Sequence, residues 1–336
     1  MIFTKETYKN VFDGFIIKDC SIRHPLRQIY LLVEDNDEKI KDGYLPDHWF
    51  VYTFNEQEDP MDRFYASNRK DMNGPKIAYN LKSNETLGLD IRGQLNSHSD
   101  GDREEAKLSQ KLEGSTYNAV YSNIRTIGDS MYATGKPRLL LKRNGVNDWE
   151  NISKSIPLPK AYLDDSLTGS EDFGWKDFDG FSEQDMYLGG GDGEVWQFDG
   201  TNFKQCDFPS NEPIVNVCCA GDGYVYIGGR GGRLWKGKGD KWELISDKEF
   251  SVRWKDIEWF DNRLFLGSDY GLWELKGNEI IRAEVPLEVK SCAGSLSICP
   301  EKNHLLTSSH TGASMYDGKE WTVLFDPNEL YTIDDV

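Results

Sequence analysis

Positive charge is in short supply: 39 Lys and Arg stand against 57 Asp and Glu in 336 residues, a formal net charge of −18. Binding to a phosphate backbone needs clustered cations, so nucleic acid is excluded as the expected direct partner. The same acidity would attract a basic protein, or would serve only to keep the chain soluble. No apolar stretch is long enough to span a bilayer, and MIFTKETYKN shows no apolar core after a basic start; a non-exported, cytoplasmic protein without membrane association is expected. The six cysteines (Cys20, Cys206, Cys218, Cys219, Cys292, Cys299) include no C-x-x-C pair and several sit in apolar runs, which suits reduced core thiols.

Signatures of chemistry are equally sparse. Five histidines (His24, His48, His98, His304, His310) have no paired spacing, so no metal site is expected. Asp100, Asp102 and Glu104 imitate the opening of a calcium loop, but Glu105 stands where its glycine belongs and Lys111 where its closing Glu belongs. There is no G-x-x-x-x-G-K-[ST] loop. The glycines of GGGDG and GGRGG run into strands instead of a helix N-terminus, so no nucleotide cofactor is expected. In Gly267-Ser268-Asp269-Tyr270-Gly271 the serine is one place early for a nucleophile elbow. No catalytic residue is singled out.

What the chain does have is a repeat, clearest in GDGYVYIGGRGGRLWKGKGDKWEL (221–244). Three anchor ladders keep step along it. Tyr187, Tyr226, Phe265 and Leu306 lie 39, 39 and 41 residues apart. Trp196, Trp235, Trp273 and Met315 follow at 39, 38 and 42, and Phe203, Trp242, Ile280 and Trp321 at 39, 38 and 41. Tyr132 and Trp149 mark a further copy upstream. A period near 40 with several short runs per unit and no helical periodicity predicts an all-β fold, a single β-propeller of six or seven four-stranded blades. In MYLGG, VYIGG and LFLGS the apolar residues are continuous, as in strands covered on both faces. Asp-Gly and Gly-Gly supply the positive φ that tight hairpins need.

The unit (V/L)(Y/F)(I/L)G…G(x)(L/V)W with a following Asp-Gly turn resembles the propeller repeats of bacterial two-component-regulator sensor domains and, more loosely, WD40-like propellers. The Gly-His and Trp-Asp pairs of true WD repeats are absent. The resemblance covers about 117–325 and speaks for fold, not function. Residues 1–116 hold one or two divergent blades, 117–327 five recognisable ones, and 328–336 an acidic tail.

One interval breaks the rhythm. From Trp149 to Tyr187 there are 38 residues where later blades have 23, 23 and 26, an insertion of about fifteen within 152–174. It carries Tyr162, Asp164, Asp165, Glu171 and Asp172, and it belongs on the face where the innermost strands begin. Insertions confined to one face are often binding devices, and the alternative is a tolerated surface loop. Two blades open their innermost strand with the same tripeptide, Trp175-Lys176-Asp177 and Trp254-Lys255-Asp256. These residues, with Arg253, are candidates for a partner-binding floor. The competing and favoured reading is structural, each Asp tying its loop to the next blade while the Trp packs. Arg230, Tyr270 and His310 complete the candidate set from turns expected on that face.

An acidic, catalytically blank propeller of this kind resembles the bacterial immunity proteins that neutralise toxins, which implies a non-enzymatic binding function with another protein, a basic toxin, as partner. A monomer is expected. Two other readings compete: a carbohydrate-active propeller lyase or hydrolase with acids at the channel, and a small-ligand sensor whose output would pass through another chain.

Overall fold

The structure, a computed structural model, describes residues 3–35, 46–70, 72–99, 101–109, 118–158, 174–246 and 252–330. Its strands form seven four-stranded antiparallel sheets, so the fold is a seven-bladed β-propeller, the upper of the two expected counts. Two of the blades lie in the divergent region before residue 117. The innermost strands of the seven, in chain order, are Phe15–His24, Lys76–Asn80, Val120–Ile127, Trp175–Ser182, Ile214–Cys219, Asp256–Phe260 and Ser295–Ile298.

The three ladders fall on the second, third and fourth strands of the blades. Second strands bury nearly every residue, as in Asp185–Gly190 and Val225–Gly229, because both faces are covered. Fourth strands such as Phe203–Gln205 are largely exposed. The large rings fill the blade wedges: Trp175 stacks on Phe203 at 5.7 Å, and Phe203 on Phe198 at 4.5 Å. Ring pairs at such separations add about 0.5–1.5 kcal/mol beyond burial alone.

The chain divides into two compact units, 73–262 and 1–72 with 263–336. In the second of these a short helix, Lys5–Val11, is capped by Thr4, whose hydroxyl accepts from the Thr7 N–H while the Thr7 side chain accepts from the Thr4 N–H. That capping box turns Tyr8 and Phe12 inward onto Phe325, with ring centroids 5.9 and 4.4 Å away. The last blade supplies all four of its own strands, Ser295–Ile298 to Trp321–Phe325, and borrows none from the N-terminus. The N-terminal segment instead docks on that blade's outer strand, where the Phe3 N–H donates to the Leu324 carbonyl at 3.2 Å. Past Phe325, where the sequence suggests a mobile tail, Pro327–Leu330 makes a helical turn and Leu330 packs on the same cluster.

In the 73–262 unit the inner strands share a device. Ser122, Lys176 and Val215 are each the extra residue of a β-bulge: Trp175 and Asp177 pair with the consecutive Gly190 and Gly189, and Ile214 and Asn216 with Gly229 and Gly228. The bulge brings backbone onto backbone. A Cβ on Gly190 would stand 1.7 Å from the Gly174 carbonyl oxygen, which is why the strand Asp185–Gly190 ends in glycine. The unit 1–72 with 263–336 repeats the arrangement at Ile17-Lys18-Asp19, with Lys18 the extra, exposed residue.

Candidate functional site

Antiparallel order fixes which segments meet at which end of a blade. The start of the inner strand, the turn between second and third strands, and the connection from the preceding blade all lie at one end. In the 73–262 unit that end carries Lys76, Lys136, Lys176, Arg230, Arg253 and Lys255.

Of the residues picked out in the sequence, Lys176 is half-buried at its bulge, Lys255 is half-buried, and Arg230 and Arg253 are exposed. The Arg230 N–H is held by the Pro213 carbonyl at 2.9 Å. Trp175 and Trp254 correct the expectation. They are 0% and 1% exposed, too deeply packed to touch a partner, and the Trp254 Nε1–H donates to the Gly232 carbonyl at 2.9 Å. Both are blade anchors, so the structural reading of the Trp-Lys-Asp tripeptide holds for its first residue. Tyr162, Asp164, Asp165, Glu171 and Asp172 lie outside the described residues. What is described of the insertion begins inside the core: Ile156 is 7% exposed and belongs to the cluster around Trp175.

Tyr270 and His310 belong to the unit 1–72 with 263–336. Tyr270 is 73% exposed, the most open large aromatic among the described residues. The His310 Nε2 lies 3.4 Å from an oxygen of Asp269, the residue before Tyr270. The turn is held in place by Arg282, whose guanidinium donates to the Tyr270 carbonyl.

The structural reading of the tripeptide fits Asp177 as well, but it did not extend to Asn123, Arg125, Asp179 and Glu258, which complete a polar layer along the inner strands. Asp177 accepts from the Asn123 Nδ2 at 2.5 Å and from the Val217 N–H at 2.8 Å, tying three successive blades. Two residues further along, Arg125 donates to Asp177 at 3.3 Å and reaches Glu258 at 3.0 Å, three blades away, while Asp179 accepts the Cys219 N–H at 2.7 Å. Arg125 and Glu258 are 18% and 15% exposed. Burial, helped by Asp179 and Asp256 and opposed by Arg125, pushes the Glu258 carboxyl up to about 8. Burial also raises Asp179. Arg125 is held charged because the surrounding carboxylates outweigh its own desolvation. Burial drives Cys218 and Cys219 far from thiolate formation, which removes them as nucleophiles. Among the described residues no group of three or more His, Cys, Asp or Glu is arranged to hold a metal, and no helix is long and apolar enough to cross a membrane.

In the 73–262 unit this end of the blades sets loops and cations beside a cross-braced layer, a form suited to binding, and among the described residues no nucleophile or oxyanion site is assembled. Comparison with characterised proteins points the same way. The chain is similar to the Immune protein Tsi7 of Pseudomonas aeruginosa. The two are 28% identical over 238 residues, 71% of this chain and 75% of the relative. No family model matches. Among solved structures, the β-propeller domain of Myceliophteria thermophila Cps50 (Swd1) aligns at TM-score 0.59 and 9% identity, covering 91% of this chain and 98% of that one. The WD40 β-propeller domain of Doa1 aligns at TM-score 0.51 and 10% identity, over 96% and 100%. At those identities the structures speak for the fold alone.

Proposed function

We infer that this chain is an immunity protein, a non-enzymatic β-propeller that works by binding another protein. The observation that carries the reading is the similarity to the Immune protein Tsi7 along 71% of the chain. The expectation drawn from the sequence fits that relative. The finer reading is that the partner is a toxin, met in the cytoplasm by a monomeric propeller. The charge of −18 would speed the capture of a basic toxin, and rigid blades would present the loops already ordered, which saves the cost of arranging them on binding. The candidate binding residues in this reading are Lys176, Lys255, Arg230 and Arg253 at the strand-start end of the 73–262 unit; Tyr270 and His310 are candidates in the other unit taken by itself, and Tyr162, Asp164, Asp165, Glu171 and Asp172 are the candidates in the insertion.

The test is capture of the partner from lysate of the native organism, read by mass spectrometry, with wild type beside a variant lacking 160–172. The expected result is one stoichiometric partner, weakened or lost with the loop, whose toxicity the wild type suppresses when the two are co-expressed. A captured protein that is harmless, or capture of none, would sink the reading.

One observation favours a second reading, that of a carbohydrate-active enzyme. Glu258, pushed up to about 8 beside Arg125, has the protonation of a general acid at neutral pH. Its bond to Arg125 commits it to the cross-brace. Glu258→Gln should therefore leave toxin protection intact, and a screen of oligosaccharides should show no cleavage by wild type.

A further inference from the structure

Blades radiate from a centre, so the gap between neighbours is widest at their fourth strands. Between blades three and four it is filled by the blades' own side chains, in a cluster around Trp175 and Phe198. Blades one and seven, both in the unit 1–72 with 263–336, are closed another way. On the side of the inner strands they touch directly, the Ile17 N–H donating to the His310 carbonyl at 2.8 Å and the Ile22 N–H to the Ser297 Oγ at 3.2 Å. Between their fourth strands, Phe64–Arg69 and Trp321–Phe325, the filling comes from residues that belong to no blade. The Phe3 ring centroid lies 5.2 Å from Phe64 and 5.0 Å from Phe325, and that of Phe12 lies 4.4 Å from Phe325 and 5.6 Å from Tyr30. Phe3, Tyr8 and Phe12 are all buried. Beside the bond from Phe3 to the Leu324 carbonyl, the Tyr8 hydroxyl donates to the Thr311 carbonyl at 3.2 Å.

We propose that residues 3–12 are a clasp that closes the seam between blades one and seven, and that its release opens this seam while the blades of the 73–262 unit stay folded. Blade seven completes its sheet with its own strands, so no shared strand locks the first blade to the last. A clasp of side chains holds the two together on different terms. Releasing it gives up the burial of three rings and a few hydrogen bonds, whereas parting a shared strand would break a whole ladder, so the seam opens well below the free energy of global unfolding. The helix Lys5–Val11 makes the release all-or-none. At seven residues it is far below the roughly 12–15 that an isolated helix needs to persist in water, so it is ordered only while docked. The capping box of Thr4 and Thr7 lowers the cost of that order and so sets how often the clasp lets go. The clasp acts whatever the partner, and its test needs none.

The experiment follows hydrogen exchange of single amides in the full chain by nuclear magnetic resonance under native conditions. Ile17 and Ile22 report on the seam, and Val217 and Cys219, bonded to Asp177 and Asp179 of the preceding blade, report on a junction in the other unit. Phe12→Leu should speed exchange at Ile17 and Ile22 by about tenfold and leave Val217 and Cys219 within about twofold of wild type. Thr4→Ala removes a side chain that bonds to Thr7 within the segment. It should speed the same two amides about fivefold, and it keeps the test valid if Phe12→Leu unfolds the chain. Phe198→Leu, at a ring of similar burial in blade four, should leave Ile17 and Ile22 unchanged. Unchanged exchange at Ile17 and Ile22 in both clasp variants overturns the proposal. Equal acceleration of all four amides overturns it too, because the rings would then belong to a core shared by the whole molecule. Acceleration by Phe12→Leu without any by Thr4→Ala would make Phe12 a blade residue and overturn the clasp.

Discussion

The inner strands of the 73–262 unit carry two charged layers, separated by only a few residues along each strand and opposite in their electrostatics. At the strand starts burial, with repulsion from Lys76, Arg253 and Lys136, lowers the Lys176 ammonium from its ordinary value. Deeper in, Arg125 bonds to Asp177 and Glu258 and joins blades that are distant in sequence. The same backbone supports both because the bulge lies between them: it turns Lys176 out of the ladder and returns Asp177 to it, so one residue is released from the sheet and the next is tied into the fold. The difference teaches where substitutions should cost stability and where they should cost binding.

The largest expected break is in the deep layer. Arg125→Ala leaves the Asp177 carboxylate buried without its counter-charge and the Glu258 carboxyl without its donor, and should cost about 3–5 kcal/mol in chemical denaturation, with loss of a cooperative transition a further expected sign. A cost below about 1 kcal/mol would mean the brace is ornamental. Next, Trp254→Phe removes the hydrogen bond to the Gly232 carbonyl and part of a buried ring, and should cost about 1–3 kcal/mol while leaving partner capture unchanged. Impaired capture at unchanged stability would return Trp254 to the binding surface.

Glu258 sharpens the comparison through pH. Its folded carboxyl titrates near 8, above its ordinary value of 4.5, so between those values the folded state holds a proton that the unfolded chain has released. Stability should therefore fall as pH rises from about 4.5 to about 8, and level off above. Glu258→Gln should flatten that slope and melt a few degrees higher than wild type at about pH 8.5, a gain on the order of 1 kcal/mol given the group's partial exposure. A slope unchanged in the variant would assign the pH dependence to another group. The smallest effect belongs to the upper layer: Lys176→Gln relieves repulsion and should raise stability by a few tenths of a kcal/mol or leave it unchanged, within the usual range for surface sites. A loss of more than about 1 kcal/mol would show that Lys176 belongs to the fold after all.

The blades were legible because their anchors are large and periodic. Tyr187, Trp196 and Phe203 recur at one spacing, since every blade must fill the same wedge. The second blade is hard to see because Tyr79 is the one large ring in its strands and small residues such as Ala78 and Gly88 stand in its inner and second strands; the first has rings in plenty, among them Tyr30, Trp49, Phe50 and Phe64, but a long connection between Glu34 and His48 breaks the spacing. At the candidate site, the tripeptide is visible, and its Trp and Asp are readable as parts of the fold while its Lys is not assigned. The sequence does hold the signal for the missed layer. Asn123-Ile124-Arg125, Asp177-Phe178-Asp179 and Asp256-Ile257-Glu258 each place two polar residues around one apolar residue at matched positions of an inner strand. What the sequence could not show is that Arg125 reaches Glu258, because that contact joins residues 133 apart and depends on how the blades face one another.

The bulge has one more consequence, for how such a protein can change over time. A residue that pairs with nothing in the sheet can be exchanged without disturbing its neighbours, and Lys18, Ser122, Lys176 and Val215 already show a cation, a hydroxyl and an aliphatic group at that place. The propeller thus has several positions that can change one substitution at a time without disturbing the sheet, while Asp177 and its bonds to the adjoining blades hold the scaffold constant.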